Sequence, residues 1–208
     1  MNFTFQKHRA EALLSGARAI MAAMHRVPFL MNALLVVVLA AVFPLAHIFN
    51  GWLFRWVDIN PHISLIYLPA FLRLANVLIL GRWHGTLATL LGGVLLMGYT
   101  HEATHAAVLN SLCSAGGPLL ALALFRWHVG RPVELTSLKD LTLLTLVYAV
   151  CNAVLHHVLW SVYDRGMLQA PEQVLWMALG DLLGALLGAY LMKWGLQCHR
   201  ERRIKADL

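Results

Sequence analysis

The chain has 208 residues, 60% hydrophobic and only 12% charged, with a mean hydropathy of +0.67. Soluble domains carry roughly 25% charged residues, so the composition argues against a water-soluble domain and for a membrane protein. The net charge of +6 falls between apolar runs and not on a basic face interleaved with aromatics, which argues against nucleic acid and leaves the lipid bilayer as partner.

Residues 1–28 carry Lys7, His8, Arg9, Arg18 and Arg26, with Leu13, Leu14, Ala17, Ile20, Met21 and Met24 at roughly helical spacing. They read as a short amphipathic helix on the cytoplasmic surface, with no cleavable leader. A spanning helix needs about 20 apolar residues. The sequence supplies six such runs: Phe29–Phe49, Ser64–Leu80, Trp83–Tyr99, Ala106–Phe125, Leu141–Val162 and Val174–Leu191. The second and third are separated only by the tight "GRWHG" turn. The expected fold is an all-α, polytopic integral membrane bundle over residues 29–192, followed by a basic cytoplasmic tail at 193–208.

Lysine and arginine set the orientation. With the N-terminus inside, thirteen of the sixteen lie on the cytoplasmic side, and only Arg55 and Arg165 lie opposite. That bias predicts both termini in the cytoplasm. All seven tryptophans fall near expected span ends, as an aromatic belt places them. Cys113, Cys151 and Cys198 have no metal or redox spacing and read as small packed residues.

Polar groups inside spans are costly unless paired, so they mark packing devices or sites. Arg73 and Asp181 are opposite in sign and fall at similar depth, which predicts a contact between them, direct or through water. Asn76 is one turn from Arg73, Asn152 lies at comparable depth, and His156 follows Asn152 by four residues on the same face. These five form the candidate ligand-binding set. Gly180, Gly184 and Gly188 make a smooth stripe suited to close packing within the chain or in a homodimer. Gly92-Gly93 and Gly116-Gly117-Pro118 read as close-approach or kink points.

His101-Glu102-Ala103-Thr104-His105 fits H-E-x-x-H, in which two histidines bind zinc and the glutamate activates water. Catalysis also needs a third ligand and an open coordination position. No positional pattern supplies one, so the motif reads as coincidental and the chain as non-enzymatic. His101 and His105 stay candidates for a non-catalytic metal site within a rim of His47, His62, His156 and His157, which alternatively senses protons or holds haem. No cofactor is identifiable.

"SLIYLPAFLRLANVLILGRWHGTLATLLGGVLL", "LVYAVCNAVLHHVLWSVYD" and "MALGDLLGALLGAYLM" resemble segments of the bacterial membrane-associated sensor domains of MASE type. The resemblance rests on Pro69, Arg73, Gly81, Gly180, Asp181 and Gly184. It implies an all-helical sensory module of the bacterial inner membrane, which here lacks the usual output domain and so needs a separate protein partner. Size and glycine-rich helices are also similar to the substrate-binding components of energy-coupling-factor vitamin transporters. The sequence thus predicts a sensor-like module for a small ligand or membrane state, with a transport component or a membrane metal or haem protein as alternatives.

Overall fold

The computed structural model describes residues 29–60, 62–99, 104–163 and 170–206. The amphipathic helix expected before residue 29 lies outside the described residues. The elements in order are α1 (Phe29–Phe54), a 3-10 turn at Arg55–Val57, β1 (Asp58–Asn60), β2 (Ile63–Ser64), α2 (Pro69–Leu96), α3 (Thr104–Val129), α4 (Leu138–Tyr163) and α5 (Gln173–Ala206). All five helices are long and apolar enough to cross a membrane. Even the shortest, at 26 residues, is about 39 Å long, against about 30 Å of hydrocarbon.

The distribution of side chains inverts that of a soluble protein. Large apolar residues such as Leu34, Val37, Leu91, Val150 and Leu186 are exposed, while Asn50, Arg73, Asn76, Thr89, Asn152, His156 and Asp181 are buried. Water does not reward that arrangement, whereas lipid does. The chain is therefore a multi-pass membrane protein.

α2 is not one straight rod. Gly81 has φ 77° and ψ 169°, a backbone region open essentially to glycine alone. The arms on either side, residues 69–80 and 82–96, turn back on each other. Asn76 Nδ2 donates to Thr89 Oγ1 at 3.2 Å, and a Cβ at Gly85 would collide with the Asn76 carbonyl. In a continuous helix residues 76 and 89 would stand about 20 Å apart. The "GRWHG" turn of the sequence is thus a reversal in the structure.

The first arm lies along α5. A Cβ at Gly180, Gly184 or Gly188 would strike Ser64, Tyr67 or Phe71 respectively, so the glycine stripe is covered by this chain's own residues 64–71. That face is not open to a second copy. The second arm packs on α1 and α3, through Gly92 against Ala40 and Phe43 and through Gly93 against Ser111. α3 packs on α4, and α4 on α5. Gly117, where a Cβ would stand 2.7 Å from Asn152 Oδ1, lets α3 approach α4 closely.

Between β2 and α2 the backbone is irregular, and its N–H groups are satisfied from distant elements. Leu65 donates to the Val57 carbonyl at 3.2 Å, Tyr67 to the Gly180 carbonyl at 3.1 Å, and Leu68 to Asn50 Oδ1 at 2.8 Å. Non-helical backbone at membrane depth is tolerated where protein supplies such partners. β1 and β2 pair antiparallel and cap this end of the bundle.

At the opposite end, Gly130 (φ 74°) closes α3, its N–H bonded to the Arg126 carbonyl at 2.9 Å. Ser137 caps α4 by accepting the Asp140 N–H at 3.3 Å. Asp140 takes both terminal nitrogens of Arg131 and the Glu134 N–H, which fixes the loop. The same carboxylate raises Arg131 above its already high range. α5 runs unbroken to Ala206, so the expected cytoplasmic tail is a continuation of the last helix.

Candidate functional site

A cavity of about 200 Å³ lies at the β-hairpin end of the bundle. Its walls come from α1, the hairpin, both arms of α2, α3, α4 and α5, and its deeper polar groups include Arg73 and Asp181. Beneath it, Ala70, Leu74, Ala121, Phe125, Leu144, Tyr148, Cys151 and Ala185 form a continuous apolar core. The cavity thus sits above packed side chains.

Arg73 is 5% exposed. Its guanidinium carbon lies 4.9 Å from the Tyr67 ring centroid and 5.5 Å from that of Phe43, so two aromatic faces flank it. One terminal nitrogen donates to the Tyr67 hydroxyl at 3.2 Å. The same hydroxyl is hydrogen-bonded to His47 Nδ1, 3.0 Å away. Arg73 Nε is buried with no partner.

Asp181, 2% exposed, is held from the opposite wall. Asn152 Nδ2 donates to its Oδ2 at 2.6 Å. The same Asn152 accepts His156 Nδ1–H on its backbone carbonyl at 2.9 Å. His156 lies edge-on to Trp160, with centroids 5.5 Å apart, and Trp160 Nε1 donates to Asn110 Oδ1 at 2.8 Å. Tyr148, Asn152, His156 and Trp160 therefore form one buried stripe along α4, four residues apart.

The sequence-derived set divides on this geometry. Arg73, His156 and Asp181 line the cavity. Asn152 stands behind Asp181 and orients it. Asn76 does not reach the cavity, because its amide is used to tie the arms of α2 together. Arg73 and Asp181 are not in ion-pair contact: each is engaged by a neutral partner on its own wall, and both face the space between. His101 lies outside the described residues, and His105 is exposed on the first turn of α3. Among the described residues no three metal-ligating side chains come together.

Sequence reasoning missed Tyr67, Phe43 and Trp160. Trp160 looks like a belt residue by position, but it is 1% exposed, whereas Trp52, Trp56, Trp83, Trp127, Trp176 and Trp194 are all exposed. The signal that separates it is its spacing of four from His156 and eight from Asn152. Tyr67 carries no comparable signal, since its role comes from an irregular segment folding against α5.

No family model, no curated protein and no solved structure matches this chain.

Proposed function

We propose that this chain is a six-crossing protein of a bacterial inner membrane, with both termini cytoplasmic, and that it binds a small polar ligand entering from the outer side. The Gly81 reversal supports the sixth crossing, and the lysine and arginine distribution supports the orientation. One observation carries the ligand reading. Two buried, oppositely charged side chains line one cavity without direct ion-pair contact, so a polar ligand seated between them would answer both charges at once.

The side chains packed beneath the cavity are mainly apolar among the described residues, which favours recognition over passage. α5 favours a sensor-like output. It carries Asp181 in the cavity wall and continues as one helix for 25 more residues, about 37 Å, to Ala206. A change at Asp181 can thus reach a cytoplasmic protein partner through a rigid element, which is the role that the likeness to MASE-type domains implies. The chain acts by binding and not by catalysis.

Native mass spectrometry of the protein extracted from its own membranes tests the ligand reading. The expected result is a bound small molecule that is lost in Arg73→Gln. Uniform absence of bound mass, with no stabilisation by any small-molecule pool, overturns it. Topology is tested by impermeant thiol labelling of intact cells, with Asp58→Cys expected to label and Arg82→Cys to stay protected. Equal labelling of the two refutes the six-crossing arrangement.

A further inference from the structure

We infer that the ligand is a small zwitterion, its carboxylate seated on Arg73 and its cationic nitrogen on Asp181; this rests on the reading of the cavity as a ligand site. An arginine side chain stays protonated at any physiological pH, so Arg73 brings a full positive charge to a site where it is 5% exposed. Tyr67 gives it one neutral acceptor, the Phe43 and Tyr67 rings flank it, and Nε has no partner. A carboxylate offers the planar pair of acceptors that a guanidinium fork matches.

The other wall is complementary. Asp181 receives one neutral donor, the Asn152 amide, and among the described residues no cation comes within ion-pair distance, Arg73 acting on it only across the cavity. Asn152 is itself fixed against Gly117 and lies fully buried, so Asp181 is held in place and not free to swing towards Arg73. A positive group delivered between the walls completes the site. A simple anion would answer Arg73 while adding negative charge near Asp181, and a simple cation would do the reverse. A molecule carrying both signs answers both at once and adds no net charge to a buried site.

Size narrows the class further. The cavity of about 200 Å³ falls below the roughly 300–1,000 Å³ of sites for drug-sized ligands. That suits an α-amino acid or a betaine. The Phe43 and Tyr67 rings are taken up by Arg73, and the Trp160 ring adds apolar wall to the cavity.

The test measures thermal unfolding of the full chain in lipid nanodiscs against three pools at equal concentration. One holds α-amino acids and glycine betaine, one the matching carboxylic acids without a nitrogen, and one the matching amines without a carboxylate. Binding to the folded state raises the unfolding midpoint as concentration exceeds the dissociation constant. The zwitterion pool is expected to raise it, and the other two are not. The active member should lose at least about tenfold in affinity in Asp181→Asn and in Arg73→Gln. Stabilisation by the carboxylic acids alone, undiminished in Asp181→Asn, overturns the zwitterion but leaves the cavity a ligand site. Stabilisation by the amines alone does the same. If no pool acts, the mass of any molecule retained from the native membrane decides. A zwitterion supports the inference, any other charge class overturns it, and an empty protein overturns both it and the ligand reading.

Discussion

Gly184→Ala adds a single methyl group at the tightest crossing in the bundle. The new Cβ would stand 2.8 Å from the Tyr67 nitrogen and closer still to its carbonyl, where ordinary contact begins at 3.4 Å. The shortfall exceeds half an ångström, and the atoms in the way are backbone, which cannot swing aside as a side chain would. Relief requires residues 64–68 and α5 to separate. A displacement of that size takes the Tyr67 N–H to Gly180 carbonyl bond from 3.1 Å beyond hydrogen-bonding range. Overpacking costs about 1–3 kcal/mol, and a buried backbone pair left unsatisfied costs a further ~1–3 kcal/mol. The variant should therefore lose about 2–6 kcal/mol. For a chain of this length that lowers the unfolding midpoint by about 10 °C. Intrinsic fluorescence during heating in detergent reads this directly. Gly195→Ala is the internal control, since nothing lies within 4 Å of that position on the same helix. It should keep the midpoint or gain up to about 1 kcal/mol from helix propensity. A Gly184→Ala protein that unfolds within about two degrees of the parent would refute the packing of residues 64–71 against α5.

Gly81→Ala forces a Cβ into a conformation essentially closed to it and should destabilise by about 1–3 kcal/mol in the same assay. Tyr67→Phe removes the acceptor for Arg73 and the partner of His47, and should lower stability by about 1–3 kcal/mol while weakening ligand response. Asn76→Leu breaks the tie to Thr89 at a cost near 0.6 kcal/mol, a typical interhelical bond in lipid, and should leave the ligand response intact. Loss of that response would place Asn76 in the site after all. Ser137→Ala should cost about 1 kcal/mol by uncapping α4, read as earlier thermal unfolding and faster amide exchange in its first turn.

The helices themselves were legible because a bilayer demands long apolar runs: four of the six expected runs lie wholly within a helix, whereas Ser64–Leu80 begins in β2 and the irregular segment before Pro69, and Trp83–Tyr99 runs past the helix end at Leu96 into a turn. Arg73, His156 and Asp181 were legible because hydrocarbon makes polar residues conspicuous. What sequence could not give was which wall each residue joins. Arg73 and Asp181 invite pairing by sign and depth alone, yet each is engaged by a neutral neighbour: Tyr67 on one side and Asn152 on the other. Tyr67 gets its position from the Gly180 carbonyl, 113 residues later in the chain, and no local pattern encodes that contact. Asn76 was misjudged for a related reason. The helical neighbours 73 and 76 diverge in use once the chain reverses at Gly81 and brings Thr89 to the amide.

The borrowed hydrogen bonds of residues 65–68 also bear on how the protein is made. During synthesis the first arm of α2 emerges long before α5, and the Tyr67 N–H has no Gly180 carbonyl to meet until that last helix is inserted. Until then the segment must stay hydrated or be shielded by other means, because bare amides are costly in hydrocarbon. Val57 and Asn50, both earlier in the chain, serve Leu65 and Leu68, so only the Tyr67 bond of the three waits for α5. The final helix thus acts as a keystone: a chain that stops short of it carries Arg73 without the wall that Asp181 supplies, and leaves the Tyr67 amide without its carbonyl.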